Sequence, residues 1–177
     1  MKPILEYIIS KNNKTVKMIH ATDATIKKIV KDELDKLGHD ANLNHIDVSE
    51  VTDMSDLFNL EEKVYGDLNP NISQWDVSKV EDMHGMFFMC SNFNQDISKL
   101  DVRNVKNMQH MFYKCENFNQ DLSKWDVRNV KYMGNMFYGC KNFNQDLSKW
   151  NVSSVEDMHY IFDKCPIKEE YKPKFNI

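Results

Sequence analysis

The most reactive side chains of this sequence recur at one fixed spacing. Four cysteines are each separated by 25 residues, and they are Cys90, Cys115, Cys140 and Cys165. Such a column is compatible with a redox or metal function, because adjacent copies of a repeat bring their α-carbons within disulfide range. However, the closely spaced CxxC or HxxxC pairs of zinc sites do not accompany them. The alternative is that the thiols are small apolar members of a core.

Aspartates recur at the same spacing and could bind calcium. One set is Asp96, Asp121 and Asp146, and the other is Asp76, Asp101 and Asp126. Stacked carboxylates repel each other, and a cation would relieve that repulsion. The chain lacks the glycine-rich loops of calcium-binding repeats. The alternative is that each carboxylate accepts hydrogen bonds from nearby backbone amides in a turn.

The histidines and hydroxyl residues form no catalytic pattern. His84 and His159 hold equivalent repeat positions, but three repeats separate them, which is too far for a shared metal. No Ser/His/Asp order, phosphate loop or HExxH motif is present. We therefore predict no catalytic residue, no metal and no cofactor. An enzyme would require a pocket at one end of the chain.

Composition excludes several classes of protein. The chain has 177 residues, of which 41% are hydrophobic and 28% charged, as in folded proteins. Its net charge of −4 argues against a general nucleic-acid binder. No apolar stretch reaches the length of a membrane helix, so no membrane insertion is expected. Glu6 interrupts the apolar start, which favours a mature cytoplasmic protein, or one whose leader has been removed.

The spacing extends to most apolar residues and predicts an α/β solenoid. Valine, methionine and phenylalanine columns share the 25-residue period across five turns, between residues 47 and 165. A constant period of this length is typical of units that bury their apolar faces only against their neighbours. Apolar residues at three- and four-residue steps predict a short helix over residues 80–90. Residues 93–98 are predicted to form a short parallel strand.

The segments outside the repeats are predicted to cover the ends of the core. In residues 1–46 we expect an edge strand within 14–21 and a helix over 23–37, capped by Asp23 and ended by Gly38. Residues 166–177 are charged and provide a short cover at the other end. Repeat proteins need such polar-faced caps.

One segment is similar to a known family. Residues 118–140, FNQDLSKWDVRNVKYMGNMFYGC, resemble the repeat of the BspA-like bacterial surface proteins, which include mycoplasma-type lipoprotein repeats. The resemblance covers residues 47–165 and extends into the preceding cap. It implies a right-handed, leucine-rich-repeat-like coil with an N-terminal helical cap. It also implies display on the cell surface and binding of other proteins.

An identical Asn-Gln-Asp segment occurs in successive repeats, at a face that could hold a ligand. Its asparagines are Asn94, Asn119 and Asn144. Identical stacked amides can bond their own copies above and below. We therefore predict a structural ladder of asparagine side chains.

Positions that vary between repeats are the predicted partner-binding surface. The two central turns carry basic residues and a tyrosine, which are Arg103, Lys106, Arg128, Lys131 and Tyr132. Phe88, Tyr113 and Tyr138 should stack into an aromatic stripe beside them. Rigid aromatic residues near arginines are typical of protein interfaces. The alternative is a solvated face whose arginines are neutralised by Asp101 and Asp126.

The sequence thus favours a non-catalytic scaffold that binds an unidentified protein partner. Charge reversal of Arg103, Lys106, Arg128 and Lys131 should abolish that binding and leave folding intact. An assembly subunit that associates end to end is one alternative. A calcium-stabilised adhesin is another.

Overall fold

Strands and an α-helix lie at the amino-terminal end of the repeats, and short 3₁₀ helices lie within and after the repeats. The computed structural model describes residues 17–59 and 65–175. The elements are β1 Ile19–His20, α1 Ile26–Leu37, β2 Ile46–Asp47 and two 3₁₀ helices, Tyr65–Asp67 and Glu169–Tyr171. β1 pairs in parallel with β2, and Ile19 lies opposite Ile46. The part of the predicted edge strand before Lys17 lies outside the described residues.

α1 packs against the core through residues spaced by one helical turn. Ile26, Val30 and Leu34 are buried, whereas most of the other side of the helix is charged and exposed. The helix begins three residues later than predicted, after Thr25. At its end, the Gly38 N–H donates to the Leu34 carbonyl, and the φ of 91° at Gly38 suits glycine.

The prediction that Asp23 caps α1 was wrong, because its carboxylate binds the first repeat. Oδ1 accepts the backbone N–H groups of Thr52 at 2.7 Å and Asp53 at 3.1 Å. In the next repeat the equivalent N–H groups of Glu81 and Asp82 donate to the Thr52 carbonyl, at 2.8 and 3.3 Å. The Asp23 carboxylate thus replaces the carbonyl that a preceding repeat would supply.

The predicted helix of each repeat is replaced by a run of overlapping turns. In residues 83–90 the N–H groups of Met86, Phe88 and Cys90 donate to the carbonyls three residues before them. Alternate N–H groups instead point to the next repeat, as Gly85 does to Gln109 at 2.8 Å. The helix prediction was wrong because these donors are used between repeats and because φ is +58° at Gly85.

The predicted strand over residues 93–98 does not form either. Its backbone donors bind side chains: the Asn94 N–H donates to Asn69 Oδ1 and the Ser98 N–H to Asp96 Oδ1, each at 3.0 Å. These N–H groups are therefore not free to pair with a neighbouring strand. Parallel bridges occur elsewhere in the repeats, between successive members of the set Asp53, Asp82, Asn107, Tyr132 and Asp157.

Apolar side chains of successive repeats pack in continuous columns. One phenylalanine from each repeat stacks on the next with ring centroids 5.2 to 5.6 Å apart, and the column is Phe58, Phe87, Phe112, Phe137 and Phe162. The buried indole N–H of Trp125 donates to the Ile97 carbonyl of the preceding repeat at 3.1 Å. Each repeat is therefore shielded mainly by its neighbours. Within residues 17–59 and 65–175, no helix is long and apolar enough to span a membrane.

Candidate functional site

Three half-buried aromatic rings lie in one column on the surface of the repeats. Phe88 and Tyr113 stack with centroids 4.9 Å apart and planes 7° apart, and Tyr113 and Tyr138 repeat the same geometry. Each residue closes a turn, since its N–H donates to a carbonyl three residues before it. The turns are tied to neighbouring repeats by backbone hydrogen bonds. We call Phe88, Tyr113 and Tyr138 the aromatic column.

Two lysines lie over the aromatic column. The Nζ of Lys114 is 5.4 Å from the Tyr113 ring centroid, and the Nζ of Lys164 is 4.9 Å from that of Tyr138. The hydrogen bond with the Tyr138 side chain raises the pKa of Lys164. Neither lysine was predicted from the sequence as part of the site. The sequence does place both lysines at the same repeat position, one residue after the position of the aromatic column, and this could have indicated their contact with the rings.

A histidine pair borders the aromatic column. The rings of His84 and His110 are 5.4 Å apart, and His110 lies 5.7 Å from the Tyr113 ring and 6.2 Å from the Phe88 ring. Burial, followed by the charge of His84, lowers the pKa of His110. In the 25-residue register, His84 instead aligns with His159. The register does not reveal the His84–His110 pair, because 26 residues, one more than the period, separate those two histidines.

The four predicted basic residues form ion pairs with acidic neighbours. Arg103 binds Asp101 at 2.8 Å, Arg128 binds Asp126 at 2.8 Å, Lys106 binds Glu81 at 2.7 Å, and Lys131 binds Glu156 at 2.9 Å. All four basic side chains are at least half exposed, so each pair adds little stability. Among the described residues the cations over the aromatic column are Lys114 and Lys164, and not these four.

Tyr132 occupies a separate position, directly after Lys131 in the chain. Its backbone forms parallel bridges with Asn107 and Asp157, and its side chain is 38% exposed. The structure therefore brings only some of the predicted residues together. The aromatic column is assembled as one surface, and among the described residues neither Tyr132 nor the four ion-paired cations make a ring contact with it.

The cysteines contribute to the apolar interior. Cys90, Cys115 and Cys140 are buried free thiols, whereas Cys165 is a half-buried free thiol. The Sγ atoms of Cys115 and Cys140 lie 3.0 Å from carbonyl oxygens of the preceding repeat. Burial raises the pKa of Cys90 to about 12, and it raises the pKa of Cys115 and Cys140 as well. Thiols in this state are poor nucleophiles and poor metal ligands.

The recurring aspartates form local turns. Asp96, Asp121 and Asp146 each accept the backbone N–H of the serine two residues later, at 2.8 to 3.0 Å. These side-chain and backbone hydrogen bonds lower the pKa of all three carboxyl groups. Within residues 17–59 and 65–175, no group of three or more His, Cys, Asp or Glu side chains is placed to hold a metal ion.

The asparagine ladder has different partners from those predicted. Asn119 Oδ1 accepts the backbone N–H of Asn144 at 3.0 Å and the side-chain amide of Gln145 at 2.9 Å, so the contact is not between asparagine side chains. Asparagine side chains do bond to one another at the repeat position two residues before Asn94 and its copies. There Asn117 donates to Asn92 at 3.1 Å, and Asn142 donates to Asn117 at 3.3 Å.

A cavity of about 530 Å³ lies beside α1 at the amino-terminal end. Its lining includes Leu37 and a hydrogen-bonded pair, His45 Nε2 and Glu33 Oε2, at 2.8 Å. A histidine paired with a carboxylate can activate a nucleophile. No hydroxyl or thiol side chain is present among the described residues that line this cavity.

A family model matches most of the chain. Its description is "Mycoplasma protein of unknown function, DUF285", and it matches residues 25–121 and residues 61–172. The chain belongs to this family. The matches to this mycoplasma family include α1 and the repeats, so both are part of the family pattern. A search of the curated proteins found no match. No solved structure matches either.

Proposed function

We propose that this member of the mycoplasma family is a protein-binding scaffold without catalytic activity. In this proposal the repeats form a leucine-rich-repeat-like solenoid of the BspA-like type. The repeated backbone hydrogen bonds and phenylalanine stacking between adjacent repeats support the architecture. A stiff array of this kind presents its variable side chains in fixed positions, and those side chains select the partner.

The aromatic column is the observation that carries the proposal. Phe88, Tyr113 and Tyr138 are half-buried, stacked and held by backbone hydrogen bonds, so they lose little conformational freedom on binding. Tyrosine and arginine are enriched where binding energy is concentrated. Lys114 and Lys164 add positive charge above the rings. We therefore expect a partner with an acidic or polar surface around an apolar contact.

The ion pairs determine how the charged positions should be tested. Replacing the four basic residues by glutamate would place like charges beside Asp101, Asp126, Glu81 and Glu156, and would also affect folding. Glutamine at Arg103, Lys106, Arg128 and Lys131 removes the positive charge without that repulsion. A matched control replaces Glu81 and Glu156 by glutamine, which breaks two of the same ion pairs and keeps the cations.

Quantitative affinity capture from a lysate of the source organism tests the proposal. A protein captured by the wild type should bind about tenfold more weakly to the fourfold glutamine variant, with an unchanged melting temperature. The Glu81/Glu156 control should retain binding. A Tyr113→Ala/Tyr138→Ala variant should weaken binding independently. The proposal would be refuted if the wild type, the fourfold glutamine variant and the Tyr113→Ala/Tyr138→Ala variant all captured the protein equally.

A further inference from the structure

Within one row of alternate residues, the backbone hydrogen bonds between repeats all run forward along the chain. At the last complete junction the N–H groups of alternate residues donate forward at 2.7 to 2.9 Å, and the donors are Met133, Asn135, Phe137 and Gly139. Their acceptors are the carbonyls of Asp157, His159, Ile161 and Asp163. Within this row, each repeat therefore presents carbonyls to the preceding repeat and N–H groups to the following one.

The last repeat presents its row of N–H donors without acceptors among the described residues. The equivalent residues are Met158, Tyr160, Phe162 and Lys164, and their backbone N–H groups form no hydrogen bond with any part of 17–59 or 65–175. Met133 and Phe137 are fully buried, whereas their counterparts Met158 and Phe162 are half-buried. Tyr160 is 63% exposed. We call residues 158–165 the terminal donor edge.

The carboxyl-terminal segment covers a different part of this end. The Leu147 N–H donates to the Tyr171 carbonyl at 2.8 Å, and the Lys168 N–H donates to Asn144 Oδ1 at 3.0 Å. At the amino-terminal end, by contrast, the first repeat is covered. Met54 and Phe58 are fully buried there, and Asp23 accepts the neighbouring backbone donors. The terminal donor edge has no corresponding cover among the described residues.

Donor and acceptor chemistry restricts what can cover the edge. An ordinary β-strand edge alternates N–H and C=O groups, so it would place some donors against donors. A helix satisfies its own backbone groups except at its two ends, so along its length it offers only side chains. Two copies related by a twofold axis through this edge would also place donors against donors. The carbonyl-presenting side of a repeat matches every donor, as the internal junctions demonstrate.

We propose that the terminal donor edge is a docking site for a repeat segment of the same type, supplied by a partner polypeptide. The segment would place four carbonyls, at two-residue spacing, against the N–H groups of residues 158–164. It would also bury the exposed sides of Met158 and Phe162. This site lies at the end of the array and meets the aromatic column at Lys164, whose Nζ lies over the Tyr138 ring.

A synthetic peptide of residues 126–150 is a suitable probe. Within the protein this segment presents the carbonyls of Tyr132, Gly134, Met136 and Tyr138 to the donors of the preceding repeat. Added to the ¹⁵N-labelled full chain, it should shift the four terminal-edge amide resonances saturably below about 1 mM. A peptide of the same composition in scrambled order should not.

Two variants of the full chain locate the site. Met158→Glu places a carboxylate in the junction while one side of that residue already faces solvent, so it should weaken peptide binding about tenfold or more. Ser154→Glu adds the same charge at an exposed residue of the same repeat and should bind as the wild type does. The melting temperature of each variant verifies folding.

The remaining outcomes overturn the proposal. The edge is not a repeat-docking site if the peptide shifts no terminal-edge amide up to about 1 mM, or if it binds Met158→Glu as tightly as the wild type. Sedimentation of the chain alone tests another occupant. Concentration-dependent association that Met158→Glu abolishes would identify a second copy as the occupant and not a separate partner.

Discussion

The side chain of Asp23 completes the hydrogen bonding between repeats at the amino-terminal end of the array. Its carboxylate accepts from Thr52 and Asp53 N–H groups, and the Thr52 hydroxyl donates to Oδ2 at 2.7 Å. Two backbone donors that would otherwise lack a protein acceptor are thereby satisfied. Asp23 thus adds to the pairing of β1 with β2 in joining the segment before α1 to the first repeat. Its removal should loosen this connection without altering the repeats themselves.

The effect of this carboxylate should depend on pH. The backbone N–H of Thr52, followed by the Thr52 hydroxyl, lowers the pKa of Asp23 in the folded protein. A lowered folded-state pKa stabilises the fold above the unfolded pKa, and the contribution is lost as pH falls through the folded pKa. Asp23→Asn should therefore differ most from the wild type near neutral pH, and the difference should shrink below about pH 4.

Urea denaturation of Asp23 variants measures this contribution. Asp23→Ala should lower the free energy of unfolding at pH 7 by about 1 kcal/mol, as for the loss of a helix cap. Asp23→Asn should cost less because its amide oxygen can still accept. Asp40→Ala is the control, since Asp40 is exposed and outside this contact. Identical stability of the wild type and Asp23→Ala would contradict the assigned role.

At the scale of the element, the run of turns requires left-handed backbone at recurring positions. One column of such residues has φ between 54° and 72°, and it contains Met89, Lys114, Gly139 and Lys164. Glycine adopts this conformation without steric cost, whereas other residues pay roughly 1–2 kcal/mol. At this repeat position the backbone is therefore unstrained in the repeat that has glycine and strained in the repeats that have another residue. This difference permits a matched test.

Met89→Gly should stabilise the protein and Gly139→Ala should destabilise it. The gain from Met89→Gly is about 0.5 kcal/mol, because glycine also increases the entropy of the unfolded chain. Gly139→Ala should cost about 1–2 kcal/mol, since its new Cβ would also lie 3.2 Å from Lys114 Cγ. Thermal denaturation compares both with Met89→Ala, which shortens the side chain but keeps a Cβ. Equal melting temperatures for Met89→Gly and Met89→Ala would argue against backbone strain.

These turns also show how far the sequence could predict the elements. Apolar residues at three- and four-residue steps occur in an amphipathic helix and equally in turns that close every three residues. The spacing therefore located the buried residues of 83–90 but not their backbone conformation. Few glycines mark the left-handed positions, because Met89 and His110 occupy them as well. By contrast, α1 has apolar residues on one face and a following Gly38, and its position was predictable within three residues.

The candidate site was predictable only where it follows the period. Stacking of Phe88, Tyr113 and Tyr138 requires one ring per repeat at one position, which the sequence displays directly. His84 and His110 hold adjacent and not equivalent repeat positions, so aligning the repeats does not reveal their contact. Contacts of this kind follow from the stacking geometry and not from the repeat unit alone.

At the scale of the whole molecule, the proposed solenoid predicts tolerance to the loss of one complete repeat. Deleting residues 101–125 joins Leu100 to Asp126, which occupies the repeat position of Asp101. Every column then stays in register, so Phe137 can stack on Phe87 and the Trp150 indole can donate to the Ile97 carbonyl. Stability in such arrays is close to a sum over repeats and their junctions. The shortened chain should fold with lower stability.

Urea denaturation and small-angle X-ray scattering test this deletion. The denaturant m-value should fall by about one-seventh, in proportion to the chain removed, and the particle should shorten by about 5 Å. Deletion of residues 101–120 is the control, because it removes less chain but shifts every following column out of register. That variant should not fold cooperatively. If instead the chain that lacks residues 101–125 did not fold, the repeats would depend on distant contacts and the solenoid proposal would fail.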